Sequence, residues 1–362
     1  MRGEILALSQ SQAKASWLDR LADISPGYFG LVMATGIVSL SAFMMGFPGL
    51  AWALFYLNGL QYGVLWVLYL LRAWHHPRRF FGDMIGHLSG PGYFTAVAAT
   101  GIMASQFIIL AEDRFMGTLL WLATVVLWLG LTYTVFTALT VKGEKPTLGT
   151  GINGGWLLAV VATQSVAVSS VLLAAHVDQP WRLELNLLAL SMWLWGGMLY
   201  IWLMALIFYR YTFFSLSPGD LEPPYWINMG AMAISTLAGS LLVENAAGAH
   251  FLVSLLPFIK GFTVLYWATG TWWIPMLLLL GVWRYVYRRF PVAYDPLYWG
   301  AVFPLGMYAA CTFRLDRAME FNFLGPVARA FLYAAIAAWT VTFLGMLYTL
   351  VLRPAKPALY GP

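Results

Sequence analysis

Ten stretches of this chain are long, mostly apolar and almost free of charge, at approximately 26–45, 51–71, 91–111, 116–140, 152–174, 185–209, 224–243, 262–284, 296–314 and 326–351. A helix needs about 20 such residues to cross a hydrocarbon layer roughly 30 Å thick. Membrane strands are excluded, because these runs are too long and lack strict apolar–polar alternation. Water cannot be the main solvent for such a chain. Hydrophobic residues make up 61% of it and charged residues 10%, where a soluble domain carries about a quarter charged residues. The expected fold class is an all-α integral membrane protein with ten transmembrane helices, spanning residues 26–351. Residues 246–261, "AAGAHFLVSLLPFIKG", are apolar too, but Pro257 and Lys260 interrupt them. They predict an interfacial or re-entrant segment ahead of the eighth span.

The basic residues set the direction of the spans. With the N-terminus inside, 14 of the 20 Lys and Arg residues fall on the cytoplasmic side and 6 on the other. Positive charge is retained inside, so both termini are expected in the cytoplasm, which requires an even number of spans. Residues 1–25 are mixed-charge and read as a cytoplasmic lead-in, not a cleaved signal peptide. Residues 352–362 form a short cytoplasmic tail. The single cysteine, Cys311, leaves no intramolecular disulfide and no multi-cysteine metal site.

A repeat underlies the ten spans. "PGYFGLVMATGI" from Pro26 and "PGYFTAVAATGI" from Pro91 share nine of twelve positions, 65 residues apart. Related openings recur as "GGWLL" from Gly154, "PYWIN" from Pro224 and "PLYWG" from Pro296. Each unit therefore reads as one helical hairpin, and there are five. The odd spans continue in small residues, such as "ATGIVSLSA" and "GAMAISTLAGS", while the even spans are built of Leu, Trp, Val and Tyr. Small side chains allow close helix packing or leave a lumen, and bulky apolar ones suit lipid. The economical arrangement is an inner ring of odd helices, each backed by an even helix facing lipid.

No Asp, Glu, Lys or Arg falls at mid-depth of the odd spans. Buried acids that relay protons are therefore not expected there. Hydroxyl and amide groups remain as candidate pore-lining donors: Thr35, Thr100 and Thr163 at one level of three odd helices, with Gln164, Asn228 and Ser235. Each hydroxyl could equally bond back to its own helix. Glu244, Lys260 and Arg314 stand at the predicted outer mouth, where Glu244 is either a coupling acid or an interfacial one held by a nearby base. The inner cluster Arg78, Arg79, Arg284, Arg288 and Arg289 is expected to set topology. Phe303, followed by Pro304, is either a ring that blocks and dewets a narrow lumen or a core aromatic against Trp299 or Tyr308. No metal site is expected of the five histidines, and no nucleophile–base set or paired acids point to an enzyme.

"PGYFGLVMATGIVS", "YWINMGAMAISTLAGS", "GTWWIPMLLLLGVWR" and "WGAVFPLGMYA" together resemble the tellurite-resistance/dicarboxylate transporter family, which includes fungal malate and sulfite permeases and plant slow anion channels. The resemblance covers about residues 25–350. It implies five hairpins in quasi-fivefold arrangement, a homotrimer with one pore per subunit, and passage of small inorganic or organic anions across the cell membrane. It also implies a pore gate at Phe303 and Pro304. No cofactor and no nucleic-acid partner is expected. The leading expectation is an anion channel or uniporter, with sulfite or a C4-dicarboxylate as cargo. The alternatives are a proton-coupled carrier of small mono- or dicarboxylates and tellurite-resistance-type efflux.

Overall fold

A computed structural model describes residues 21–352; the proposed tails therefore lie outside the described residues over 1–20 and 353–362. Among the described residues all regular structure is helical. The long helices are α1 (Gly30–Met44), α2 (Pro48–His75), α3 (Phe94–Ile109), α4 (Arg114–Val141), α5 (Leu158–Ala174), α6 (Trp181–Phe213), α7 (Ile227–Glu244), α8 (His250–Val282), α9 (Trp299–Ala318) and α10 (Gly325–Leu352). Nine helical segments among the described residues are long and apolar enough to cross a membrane. The α9 segment is not among them, and Arg314, Asp316 and Arg317 stand at its far end.

Every odd helix is entered through one turn of 3₁₀ helix: Pro26–Phe29, Gly90–Tyr93, Gly154–Leu157, Pro223–Trp226 and Pro296–Tyr298. These turns explain the repeated opening motif. Proline suits a first helical turn because its missing N–H has no partner there anyway. At three of the turns a side chain also closes the free end: Ser25 accepts from the Gly27 N–H (3.2 Å), Asn153 from Gly155 (3.0 Å) and Asp295 from Leu297 (2.8 Å). Such caps satisfy amides that the helix itself leaves open.

The odd helices pack in sequence: α1 on α3, α3 on α5, α5 on α7, α7 on α9, and α9 back on α1. Their 3₁₀ turns touch in the same cyclic order. Each even helix packs on the odd helix before it and, less extensively, on the next one, with α10 returning to α1. Burial follows this division. The most apolar stretch of α5 is 100% buried, against 11% for α10. Large apolar side chains such as Tyr56, Leu60, Trp74, Phe115 and Val126 stand exposed on the even helices, an arrangement stable against lipid and not against water.

One expectation is corrected. Residues 246–261 form a short 3₁₀ turn, Ala246–Gly248, and then the first turns of α8, which continues through Pro257 and Pro275 without interruption. Each proline removes one helical hydrogen bond, a loss that membrane helices absorb through neighbouring groups and small local adjustments. Lys260 therefore sits partway along an outer helix.

Candidate functional site

Three cavities lie along the axis enclosed by the odd helices. The inner chamber, about 40 Å³, is lined by residues of all five repeats, among them Gly30, Thr95, Leu158, Ile227 and Phe303. The outer chamber, about 20 Å³, is lined from the five odd helices by Ile37, Ile102, Ser165, Ile234 and Met307, among others. Beyond it opens a vestibule of about 500 Å³ with Glu112, Arg114, His176, Glu244 and Arg314 on its walls. A single water needs about 10–15 Å³ of such space, so the two chambers hold a few waters at most. Neither admits a hydrated anion.

Phe303 is on the wall of one chamber only. It lines the inner one, while Met307, one turn further along α9, lines the outer one. The ring is 1% exposed. Of its two proposed aromatic neighbours, Trp299 lines the same chamber one turn back and donates its indole N–H to the Tyr294 hydroxyl at 3.3 Å, while Tyr308 packs on Trp267 and Phe331. Pro304 cannot donate to the Gly300 carbonyl one turn back. Its ring presses on α7 at Gly230, where a Cβ would come within 2.8 Å of the Pro304 Cγ. On the opposite side Gly306 approaches Ile37 and Val38, and the Ser41 hydroxyl donates to its carbonyl at 2.9 Å. The segment carrying Phe303 is thus wedged between two neighbouring odd helices.

The six candidate donors are placed elsewhere, which corrects the sequence expectation. The Thr35 hydroxyl accepts from the Trp339 indole of α10 (3.0 Å), Thr100 pairs with the Tyr62 hydroxyl of α2 (2.9 Å), and Thr163 accepts from Trp128 of α4 (2.9 Å). Gln164 donates to the Trp193 carbonyl of α6, and the Asn228 amide to the Tyr211 hydroxyl. Ser235 bonds back to Ala231, and its carbonyl accepts from the Trp193 indole. All six serve contacts within the helix shell. Helical phase is the reason. Thr35, Thr100 and Thr163 each stand two residues before a chamber-lining residue, Ile37, Ile102 or Ser165, and two residues turn a helix by about 200°. The hydroxyl side chains that do line the chambers are Thr95, Ser105 and Ser165. Their hydroxyls donate to backbone carbonyls, with Oγ–O distances of 2.7, 2.9 and 2.8 Å.

At the outer mouth Arg314 and Glu244 meet, with the guanidinium Nη1 donating to Glu244 Oε2 at 3.0 Å. Lys260 is not part of this group; it is half-buried on α8. At the inner face three arginines are buried where the sequence suggested only surface charge or nothing. Arg72 binds the Ala22 carbonyl, Asp83 and the Tyr93 hydroxyl. Arg210 binds the Gly149 carbonyl (2.8 Å), Asp220 and the Tyr225 hydroxyl. Arg284 binds the Leu221 carbonyl and stacks on Phe290. Arg72 and Arg210 thereby tie the end of an even helix to the 3₁₀ turn that opens the next odd one. The usable signal was their place in the last turn of an even span, near an aromatic of the following motif. Arg78 and Arg288 carry no such ties to a 3₁₀ turn, and Arg79 pairs with Asp23 on the surface at 3.2 Å. Among the described residues no group of three or more His, Cys, Asp or Glu is placed to hold a metal ion.

The family model described as a voltage-dependent anion channel, SLAC1, matches residues 23–347. An uncharacterized membrane protein of Mycobacterium tuberculosis is 38% identical over 152 residues, covering 42% of this chain and 77% of the relative. Two uncharacterized transporters of Methanocaldococcus jannaschii align almost throughout. One is 22% identical over 333 residues, covering 90% of this chain and 94% of its own, and the other 23% over 342 residues, covering 92% and 95%.

Proposed function

The chain belongs to the voltage-dependent anion channel family, SLAC1, and we propose that it passes small anions along the axis of its five odd helices, with Phe303 as the closing element. This is a family of channels and transporters, not of enzymes. The observation that carries the reading is the pair of small chambers, each lined from all five repeats, with Phe303 on the wall of the inner one. The closed order of contacts among odd helices supports ten spans in a quasi-fivefold ring. The basic loops support cytoplasmic termini in a cell membrane. Assembly as a homotrimer rests on the family resemblance.

A wall without acids does not repel an anion, and its narrowness makes dehydration the main barrier. Removing the bulky ring widens the inner chamber and lets water bridge to the outer one, which is how a hydrophobic constriction opens. Pro304 contributes by holding the ring in a stretch where one helical bond is missing. Uncoupled passage is favoured over proton coupling because Glu244, the sole candidate coupling acid, is bonded to Arg314 at the mouth and lines the vestibule. Sulfite and C4-dicarboxylates are the first cargoes to try.

Phe303→Ala in proteoliposomes is expected to raise anion efflux at least tenfold over the wild type, with chloride, sulfite and malate each tested. An efflux equal to the wild type, in a correctly inserted variant, overturns the assignment of the gate.

A further inference from the structure

Arg314 is the charged residue common to the outer chamber and the vestibule. Ile109, Leu172 and Leu241 also line both, so these four residues form the neck between them. The guanidinium is used on one edge only. Nη1 reaches Glu244, while Nε is buried with no hydrogen-bond partner. Buried guanidinium N–H groups are costly to leave unpaired, and here the open donor belongs to a cation at the threshold of an anion path.

Glu244 is poorly placed for a permanent partner. It is the last residue of α7, where the helix end carries partial negative charge and disfavours a carboxylate. The two side chains are still 21% and 30% exposed, so water competes for both. An ion pair of this kind is weak and exchanges readily. The rest of the vestibule does not decide the matter, since Glu112 and Arg114 oppose each other in sign and His176 Nδ1 bonds the Leu172 carbonyl at 2.9 Å.

We propose that Arg314 is an anion-binding site at the outer neck and that Glu244 is a tethered carboxylate occupying it until an incoming anion takes its place. The site favours a carboxylate or sulfite over a halide, because two oxygens match the guanidinium fork and a spherical ion does not. Nη2, which shares an edge of the guanidinium with Nη1, would supply the second donor. The inference rests on the reading of the axis as an anion path, and it adds a specificity step ahead of the Phe303 constriction.

Binding can be read without transport, as the anion-dependent rise in unfolding temperature of the purified protein. Sodium succinate, sulfite and chloride serve as probes for the wild type, Glu244→Gln, Arg314→Gln and Arg314→Lys. Glu244→Gln is expected to lower the half-saturating succinate concentration about fivefold, the equivalent of a weak ion pair. Arg314→Gln removes the saturable response. Arg314→Lys keeps a chloride response and loses the preference for succinate and sulfite, which covers the case of a Gln variant that does not fold. An unchanged half-saturation in Glu244→Gln, or a saturable succinate response persisting in Arg314→Gln, overturns the proposal. Efflux through Phe303→Ala separates the two readings: normal activation there with no effect at Arg314 sinks the neck site alone, and no activation sinks the path.

Discussion

Thr163 shows what a membrane hydroxyl does when it faces a neighbour and not a lumen. It donates to the Ala159 carbonyl at 2.8 Å and accepts from the Trp128 indole, so its valences are filled inside the shell. Thr163→Val keeps the shape and strands a buried indole N–H, at a cost of about 1–3 kcal/mol. Lower thermal stability with unaltered anion selectivity is expected; changed selectivity at unchanged stability would return Thr163 to the lumen. Aligning the repeats gives equivalent positions along the helices, but position along a helix is not face. The run Gly30, Met33, Ile37, Leu40, Met44, spaced by three and four residues, carried the phase, and its apolar character hid it. Glu222, in the loop before α7, was invisible to an analysis of spans. Burial, reinforced by the Asp295 carboxylate and opposed by Arg284, raises its pKa above the usual carboxylate range. The folded protein therefore holds this proton more tightly than the unfolded chain does. Stability from that group is present below the unfolded value and is lost as pH rises through the folded one. Glu222→Gln should raise the unfolding temperature near pH 7 and change it little near pH 4, as a pH series of melts would show.

At the level of elements, the contrast between small and bulky spans was legible because it reflects two solvents, protein for one set and lipid for the other. The 3₁₀ entries to the odd helices begin within one residue of the repeated motif, since proline, glycine and a following aromatic are what a capped 3₁₀ entry needs. The start of α8 was misread for a related reason. Proline is a strong stop signal in water, and in a lipid-facing helix its single lost bond does not end the element. Close approach between odd helices is set by glycine at specific points. Gly230→Ala places a methyl against a proline ring that cannot rotate away, and overpacking of this kind costs about 1–3 kcal/mol. Gly130, on α4, has open space where its Cβ would stand, so Gly130→Ala should stabilise by about 0.5–1 kcal/mol. Paired melts of the two variants test whether α7 and α9 are in contact at Pro304.

For the whole molecule, five hairpins share one plan. Contacts between the first and last odd helices close the ring, α10 returns to α1 through Trp339 and Thr35, and buried arginines fasten the inner face. Such a shell is rigid where helices cross and can change at little cost only where side chains fill its axis. Phe303 is proposed as the ring that fills it, from the resemblance and from the Phe-Pro pair. The neck at Arg314 was partly legible: the charge pattern offered Lys260 or Arg314 as the base beside Glu244, and the structure pairs it with Arg314. The central claim is that the axis of the odd helices conducts anions and that Phe303 closes it. Planar-bilayer currents of Phe303→Ala in asymmetric potassium chloride test it most directly. A current well above the wild type, reversing near the chloride equilibrium potential, is the expected result. No added current, or a reversal near the potassium potential, would contradict it.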